Sequence, residues 1–340
     1  NPGGNAQPDY PLRIEVPVRT ANETYRIIPA GSSGLIMFYR SMEAEDDQRT
    51  RWYFTCYDTN LQQRWVKSVP LYNDQEFRIQ EDGHDTLALL FCTGEKSKSP
   101  DKFYQILRIV PKSGILILNA GKIDDGSTAD VFTIAKGRAW LGLSTRGKIS
   151  KVLNTRLKDG VSQVFTPGIG SQLNILRMKA DTATGLLAAV VSRQISKKDV
   201  EYYLVRYDTN GVIKREVMLG TQTAEHTLNN LDFVSLPPGG DLLLGSYRLG
   251  PLRAAPKNNI PEESTGLFAS AVMGGTQKSV NFYNFLELQN ASNIVGASDI
   301  AELQKKALKK QKKLTDYSLD YSVLMHEIIP VNDQYILSAE

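Results

Sequence analysis

The sequence predicts an all-β fold, a β-propeller of about six four-stranded blades with one helical insertion. Three observations support this prediction. From residue 13 to about residue 288, short segments rich in Val, Ile, Leu, Tyr and Phe alternate with clusters of Gly, Pro, Asn and Asp, as in many short strands joined by turns. The tetrapeptide Tyr-Asp-Thr-Asn occurs at Tyr57–Asn60 and again at Tyr207–Asn210, each time between two strand-like segments. Turn positions recur about every 50 residues, which is the length of a four-stranded blade.

The recurring turn contains residues that tolerate a left-handed backbone. We take as its equivalent positions Asn60, Gly114, Gly160, Gly211 and Gly275. The Asp of each Tyr-Asp-Thr-Asn group can accept hydrogen bonds from the backbone of its own turn, and the Asn or a following Gly can take a positive φ. A two-domain β-sandwich is the rival architecture for such a strand pattern.

The blades are predicted in chain order. Complete blades span residues 25–69, 76–120, 130–166, 174–219 and 228–288. The strands Tyr321–Ile329 and Gln334–Ala339 are predicted to begin a further blade that ends before its outer pair. We expect the strand Leu12–Val18 to complete this blade, because closure of that kind hides the sheet edges of a propeller. Residues 12–340 are thus predicted to form a single propeller domain.

Residues 289–320 interrupt the strands with a strong helical pattern. Asp299 and Glu302 have the spacing of a capping box, and we predict a helix from about residue 299 to residue 314. Apolar residues recur at helical spacing on one face at Ile300, Leu303, Ala307 and Leu314. The opposite face carries Lys305, Lys306, Lys309, Lys310, Lys312 and Lys313. This basic face favours either contact with a polyanion or an anionic membrane, or a solvated surface that complements the helix dipole.

The compartment is predicted from the start of the chain and from its cysteines. Residues 1–11 are rich in Pro, Gly and Asn, which indicates a flexible segment, and the first residue is Asn1 rather than Met, as after removal of a targeting peptide. We therefore expect an exported protein of the periplasm or cell surface, and a cytosolic protein trimmed at a flexible N-terminus is the alternative. No apolar run is long enough to cross a bilayer. Cys56 and Cys92 lie in apolar runs, which predicts buried free thiols.

The sequence contains little that indicates metal or cofactor chemistry. Its three histidines, His84, His226 and His326, lack the spacing of a helical metal site, and no phosphate-binding loop is present. We therefore expect no cofactor and no metal. The net charge of +3 argues against a nucleic-acid partner. The acidic clusters Glu43–Asp47 and Asp124–Asp125 are candidates for the paired carboxylates of glycoside hydrolysis, with solvated loop charge as the alternative.

The Tyr-Asp-Thr-Asn hairpins, the Asn/Pro/Gly-rich start and the Lys-rich insertion resemble those of uncharacterised exported β-propeller proteins of Bacteroidetes-type bacteria. The resemblance covers residues 13–340 and implies a location in the cell envelope or at the cell surface. It implies no catalytic residues.

Arginine recurs at the predicted end of the second strand in four blades. The residues are Arg40, Arg146, Arg193 and Arg248, and Tyr247 precedes the last of them. Equivalent strand ends of a propeller lie on one face around its axis, so the guanidinium groups are predicted to form a partial ring that binds carboxylate or phosphate. The alternative is that each arginine reaches solvent or covers a neighbouring blade.

These observations predict a non-enzymatic exported binding or scaffolding module for an anionic small molecule, a glycan or a protein. The alternative is a polysaccharide hydrolase or lyase on a propeller scaffold, which would place carboxylates or a histidine in a pocket. A third possibility is a structural envelope component that assembles through the outer edges of its blades.

Overall fold

The structure is a computed structural model, and it describes most of the chain. The described residues are 13–15, 25–83, 86–94, 102–123, 126–145, 148–168, 173–182, 184–195, 200–220, 226–236, 239–249, 263–288, 296–310, 321–323, 325–332 and 334–339. Within these ranges the secondary structure is β apart from one α-helix and two short 3-10 helices. The predicted all-β class with one helix is confirmed. No helix in the described part of the chain has the length and apolar character needed to cross a bilayer.

The first sheet contains four consecutive strands in sequential antiparallel order. They are β1 (Arg26–Pro29), β2 (Leu35–Ala44), β3 (Arg49–Tyr57) and β4 (Gln63–Tyr72). The second sheet repeats this order with β5 (Gln75–Gly83), β6 (Thr86–Thr93), β7 (Lys102–Val110) and β8 (Ile115–Ile123). One hydrophobic cluster joins the two sheets and includes Phe38, Phe54, Phe91 and Leu107, all without solvent exposure. Burial of this aromatic and aliphatic surface stabilises the pair of sheets.

The third sheet has the same strand order, from β12 at one edge to β9 at the other. Its strands are β9 (Thr128–Ala135), β10 (Arg138–Thr145), β11 (Lys148–Arg156) and β12 (Ser162–Phe165). The chain divides within this sheet into two compact units. The first unit comprises Asn1–Ala139 and Thr155–Val161, and the second comprises Trp140–Asn154 and Ser162–Glu340.

The second unit contains two further four-stranded antiparallel sheets. One is formed by β13 (Leu173–Ala180), β14 (Leu187–Gln194), β15 (Val200–Tyr207) and β16 (Ile213–Leu219). The chain continues with β17 (His226–Leu236), β18 (Gly240–Leu249), β19 (Glu263–Ser264), β20 (Gly266–Met273) and β21 (Thr276–Asn284). The other sheet is formed by β17, β18, β20 and β21, and the two-residue strand β19 is not part of it. Their shared core includes Val190, Leu204, Phe233, Leu243 and Phe268.

The C-terminal strands differ from the prediction. The predicted strand Tyr321–Ile329 is two strands, β22 (Tyr321–Ser322) and β23 (Met325–Val331). The first of these pairs with the short strand β19, and the second pairs with β24 (Gln334–Ala339). Because the two segments have different hydrogen-bonding partners, the chain cannot continue as one strand. The predicted strand Leu12–Val18 lies outside the described residues apart from 13–15, which form no strand.

The inserted helix, α1 (Ala297–Lys310), begins two residues earlier than predicted. Asp299 therefore lies in its first turn and not at the N-cap, and its carboxylate accepts a hydrogen bond from the Tyr321 hydroxyl at 3.1 Å. Leu303 is buried, and Ile300 packs against a small cluster around Phe285. The predicted apolar face is thus confirmed for these two residues. The predicted end of the helix, at residue 314, lies outside the described residues.

The two Tyr-Asp-Thr-Asn turns have the same geometry. The carboxylate of Asp58 accepts hydrogen bonds from the backbone N–H groups of Asn60 and Gln62, each at 2.9 Å. Asp208 accepts the equivalent pair from its own turn at 2.9 and 3.0 Å. The left-handed residue follows the Asn in both turns, at Leu61 (φ 57°) and Gly211 (φ 78°). The expectation that Asn60 is the equivalent of Gly211 is therefore wrong by one residue.

Candidate functional site

A cavity of about 750 Å³ lies in the first unit, where the first and second sheets meet. Its lining residues are Arg26, Arg40, Ser41, Met42, Ala44, Thr50, Trp52, Asn73, Gln75, Glu76 and Phe77. Neighbouring strands are antiparallel, so the first residues of β1 and β3 lie at the same end of the sheet as the last residues of β2 and β4. A two-residue connection then leads into β5, so the first residues of the second sheet lie at this end as well.

Arg40 is the sequence-predicted site residue that lies in this cavity. It was expected at the end of its strand, but β2 continues to Ala44, with an irregular register between the two residues. Strands β2 and β3 consequently form a hairpin in which residues 45–48 make the connection. Arg40 Nη2 donates to Thr50 Oγ1 at 3.3 Å, and the Thr50 hydroxyl donates to Asn73 Oδ1. This chain of hydrogen bonds holds one side of an exposed guanidinium and leaves the group at the cavity surface.

Gln75 contributes a buried amide at the first position of β5. Its side chain is 1% exposed, and Nε2 donates to Thr93 Oγ1 at 3.2 Å and to the Phe103 carbonyl at 3.4 Å. The Gln75 Oε1 atom is buried and has no hydrogen-bond partner. A buried acceptor without a donor is costly, so a donor that reaches this atom would stabilise the protein.

Trp52 contributes an indole whose ring is buried and whose Nε1–H has no hydrogen-bond partner. The ring packs edge-on against Phe91, with centroids 5.0 Å apart, and lies 6.3 Å from Phe38. These aromatic contacts fix the orientation of the indole. Two residues that line the cavity thus carry unpaired polar atoms, a donor on Trp52 and an acceptor on Gln75, and both side chains are buried.

Glu76 and Arg26 add opposite charges to the cavity. The Glu76 carboxylate lies 3.6 Å from Arg78, and its side chain is 56% exposed. It also packs against Gly94, where a Cβ atom would collide with Glu76 Oε1. The Arg26 guanidinium lies 5.1 Å from the centre of the Phe77 ring, a cation–π contact that places it over an aromatic surface.

The predicted acidic cluster Glu43–Asp47 is partly neutralised by arginines on the same hairpin. Arg51 Nε donates to Glu45 at 2.8 Å, and Arg49 Nε donates to Asp46 at 2.7 Å. The hydrogen bond from Arg49 holds the pKa of the Asp46 carboxyl below its ordinary value. These two carboxylates therefore act as ion-pair partners on the hairpin surface. The second predicted cluster, Asp124–Asp125, lies outside the described residues.

Of the other sequence-predicted site residues, Arg146 lies outside the described residues. Arg193, Tyr247 and Arg248 belong to the second unit and do not line this cavity. Arg193 Nη2 donates to Glu201 and to the Tyr203 hydroxyl, both at 2.6 Å. The bonds from Tyr203 and Arg193 lower the pKa of the Glu201 carboxyl.

Tyr247 and Arg248 are consecutive residues of β18 and so lie on opposite faces of the sheet. Tyr247 is 4% exposed, and its ring contacts those of His226 and Phe282 at centroid distances of 5.1 and 4.9 Å. Arg248 is half-buried on the other face. Tyr247 is thus buried, and a role in ligand binding remains a prediction for Tyr247 as well as for Arg146, Arg193 and Arg248.

Metal-binding groups are not apparent in the described part of the chain, where no three His, Cys, Asp or Glu side chains lie together in a way suited to an ion. The predicted free thiols are confirmed, since Cys56 and Cys92 are both buried and unbridged.

Comparison with known proteins gives a likeness of fold. No family model and no curated protein matches the sequence. A protein of unknown function from Bacteroides caccae resembles the chain at 11% identity and a TM-score of 0.40, over 79% of this chain and 85% of that one. Cobalt-substituted apocarotenoid oxygenase from Synechocystis gives 11% identity and a TM-score of 0.39 over 76% of this chain. The match spans 64% of the oxygenase, less than two thirds of its length.

A lignostilbene dioxygenase from Pseudomonas brassicacearum matches at 11% identity and a TM-score of 0.32, over 53% of this chain and 56% of that one. The prediction of a non-enzymatic binding or scaffolding module is not supported by these comparisons, in which the neighbours with a named activity are an oxygenase and a dioxygenase. The predicted resemblance to uncharacterised Bacteroidetes-type proteins is supported at the level of fold alone.

Sequence reasoning identified Arg40 but missed the other polar groups of the cavity. The sequence pattern places Trp52 in a strand, Gln75 in a connection and Glu76 at the start of the next strand. It does not indicate that these residues share a cavity, because the cavity forms only where the two sheets pack together. The short Asn73–Asp74 connection between β4 and β5 is the local signal at this point, because Asn and Asp favour turns.

Proposed function

We propose that this protein is an enzyme that cleaves an acidic polysaccharide by β-elimination at a uronate residue. The observation that carries this proposal is a cavity whose lining residues supply two guanidinium groups, one carboxylate, an aromatic surface and two buried polar atoms without hydrogen-bond partners. A polysaccharide lyase is part of the alternative function predicted from the sequence, and the proposal adds the residues that would carry the reaction.

The cavity has the chemical features that an acidic sugar requires. Sugar rings have apolar faces that pack on aromatic side chains, which Trp52 and Phe77 supply. Arg26 and Arg40 supply forked donors for a carboxylate. The hydrogen bond from Arg40 to Thr50 fixes the side chain on its strand, so little conformational freedom is lost when it binds an anion.

The reaction needs one base and one cationic group. The Glu76 carboxylate removes the proton from the ring carbon next to the substrate carboxylate. The electron pair of that C–H bond forms a carbon–carbon double bond, while the bond from the neighbouring carbon to the glycosidic oxygen breaks. The departing oxygen keeps the bonding electrons and takes a proton from Glu76 or from water. Arg26 and Arg40 stabilise the charge that develops on the substrate carboxylate.

Elimination fits the described side chains better than hydrolysis. A glycoside hydrolase uses two carboxyl groups about 5 to 9.5 Å apart, whereas the described side chains lining the cavity include one carboxylate, Glu76. The neighbouring Glu45 and Asp46 form close hydrogen-bonded pairs with Arg51 and Arg49 at 2.8 and 2.7 Å, whereas Glu76 lies 3.6 Å from Arg78 and its side chain is 56% exposed. An elimination needs no second carboxylate, because one base can take up and return the same proton.

The direct test is an assay for unsaturated products with alginate, pectate and hyaluronate as substrates, read by ultraviolet absorbance and mass spectrometry. Glu76→Gln is expected to lower kcat at least about 100-fold, and Arg40→Ala is expected to raise KM and lower kcat. The matched controls are Glu216→Gln and Arg64→Ala, which change exposed residues outside the cavity. Full activity of Glu76→Gln, or hydrolytic products without a double bond, would contradict the proposal.

We also propose that the four-stranded sheets are blades of one propeller of about six blades, closed by the N-terminal segment. The sequential antiparallel order within each described four-stranded sheet supports this arrangement. Export to the periplasm or cell surface remains part of the proposal, because polymeric acidic glycans are found outside the cytoplasm. An experimental structure tests the blade count, and cell fractionation tests the location.

A further inference from the structure

The orientation of the Gln75 amide is fixed by its surroundings. Its Nε2 donates to the Phe103 carbonyl and to the Thr93 hydroxyl oxygen. That hydroxyl oxygen also accepts the Phe103 backbone N–H at 2.9 Å. If the amide were flipped, Oε1 would face the carbonyl oxygen, and two acceptors would repel each other. The unpaired atom at this position is therefore an acceptor that requires a hydrogen-bond donor.

The Trp52 indole has the opposite requirement. Its Nε1–H is a donor and nothing else, and it is buried without an acceptor. Trp140 also has an unpaired buried Nε1–H, but it does not line the cavity. What distinguishes Trp52 is its place in the same cavity as the unpaired acceptor of Gln75 and next to Arg40.

We infer that Gln75 and Trp52 select a substrate ring with free hydroxyl groups, the Gln75 Oε1 atom accepting from one hydroxyl and the Trp52 Nε1–H donating to a hydroxyl oxygen. A sugar hydroxyl is both a donor and an acceptor, so hydroxyl groups satisfy both atoms. This inference rests on the proposed function, because it specifies the uronate as one whose ring hydroxyls are neither esterified nor removed.

The expected discrimination follows from the cost of leaving these groups unpaired. A site built to bond a hydroxyl rejects an analogue without it more strongly than an apolar pocket rejects an extra group. Each buried group left unpaired is expected to weaken binding on the order of 10-fold to 100-fold. A ring with a carboxylate but without hydroxyls is thus expected to bind much more weakly than a uronate.

The test measures binding by calorimetry with three small probes. Glucuronate carries the carboxylate and the hydroxyls, cyclohexanecarboxylate carries the carboxylate alone, and methyl glucoside carries the hydroxyls alone. We expect wild-type protein to bind glucuronate at least about 10-fold more tightly than cyclohexanecarboxylate. Trp52→Phe should reduce that ratio about 10-fold, whereas Trp140→Phe should leave it unchanged. Gln75→Met is a second variant, and thermal unfolding checks that each variant is folded.

The inference is overturned if cyclohexanecarboxylate binds as tightly as glucuronate, if no probe binds, or if folded Trp52→Phe and Gln75→Met both keep the wild-type ratio. Hydroxyl-dependent glucuronate binding without cleavage of any polymer upholds the inference and contradicts the proposed function. Cleavage of a uronate polymer without hydroxyl dependence does the reverse.

Discussion

Arg206 donates from its guanidinium to Oδ1 of Asp241, a carboxylate with no solvent exposure. Arg215 Nη2 donates to the other oxygen at 3.0 Å, and the Ser235 hydroxyl contacts Oδ1 at 3.2 Å. Both oxygens of the carboxylate thus have charged partners. The Arg206 side chain is itself only 11% exposed, so this ion pair links β15 to β18 in a largely dry environment.

Replacement of Asp241 is expected to be strongly destabilising. Asp241→Asn keeps the shape of the side chain but removes the nearer of the two carboxylates paired with the buried Arg206 guanidinium, leaving Asp181 at 4.0 Å. Removing one partner of a buried ion pair typically costs about 3 to 5 kcal/mol. Urea denaturation measures the change in the free energy of unfolding. Asp47→Asn, at an exposed position, is the control, and equal stability of the two variants would show that the Asp241 pair contributes little.

The repeated turn predicts opposite effects for two substitutions. Leu61 adopts φ 57° and Gly211 adopts φ 78°, a region that costs a side-chain-bearing residue about 1 kcal/mol or more. Leu61→Gly should therefore raise the melting temperature slightly. Gly211→Ala should lower it, because its Cβ would also lie 2.5 Å from the Phe165 ring. Differential scanning calorimetry of both variants is the measurement, and effects of the same sign would contradict this account of the turn.

The Glu201 carboxyl is expected to titrate below its ordinary value. The hydrogen bond from Tyr203 is the larger cause of its lowered pKa, and the bond from Arg193 is the next. Tyr203→Phe should therefore raise the pKa of Glu201 more than Arg193→Lys does, as followed by NMR titration of the carboxyl carbon. A folded-state pKa below the unfolded one stabilises the protein above the unfolded pKa, near 4.3. This stabilisation is lost as the pH falls through the folded pKa.

Gly94 is predicted to be required for the position of Glu76. A Cβ atom at residue 94 would collide with the Glu76 carboxylate, which is the far end of a flexible side chain, so the fold should tolerate the change while the carboxylate moves. Gly94→Ala is expected to lower kcat at least about 10-fold with little change in melting temperature. Gly168→Ala, whose Cβ would lie 3.1 Å from a Leu173 methyl group, is the control. Unchanged kcat in Gly94→Ala would argue against Glu76 as the base.

The strands of this protein were predictable because alternation and turn chemistry are local. Asp58 and Asp208 organise their turns through bonds to residues no more than four positions away, so a tetrapeptide carries most of the information. The end of β2 was not predictable in the same way. Its continuation past Arg40 depends on pairing with β3 across an irregular register, and this irregularity has no signal within the strand itself.

The candidate site was predictable only for one residue. Arg40 was identified by its recurrence, but the partners that give it a role, Thr50 and Asn73, come from another strand and from a connection. Arg193 shares the same sequence pattern and is bound instead to Glu201. The difference lies in the residue that faces each arginine across the sheet, and position within a repeat does not determine it.

The turn at Asp58 also indicates how the repeats of such a chain can diverge. Because the Asp carboxylate holds the turn through two backbone N–H groups, the left-handed position after Asn60 accepts Leu in one copy and Gly in another. The strain of the Leu61 side chain is offset by the hydrogen bonds to Asp58, so this copy of the turn is retained without glycine. Duplicated hairpins can thereby lose sequence identity at their most conformationally restricted position while their backbone path is retained.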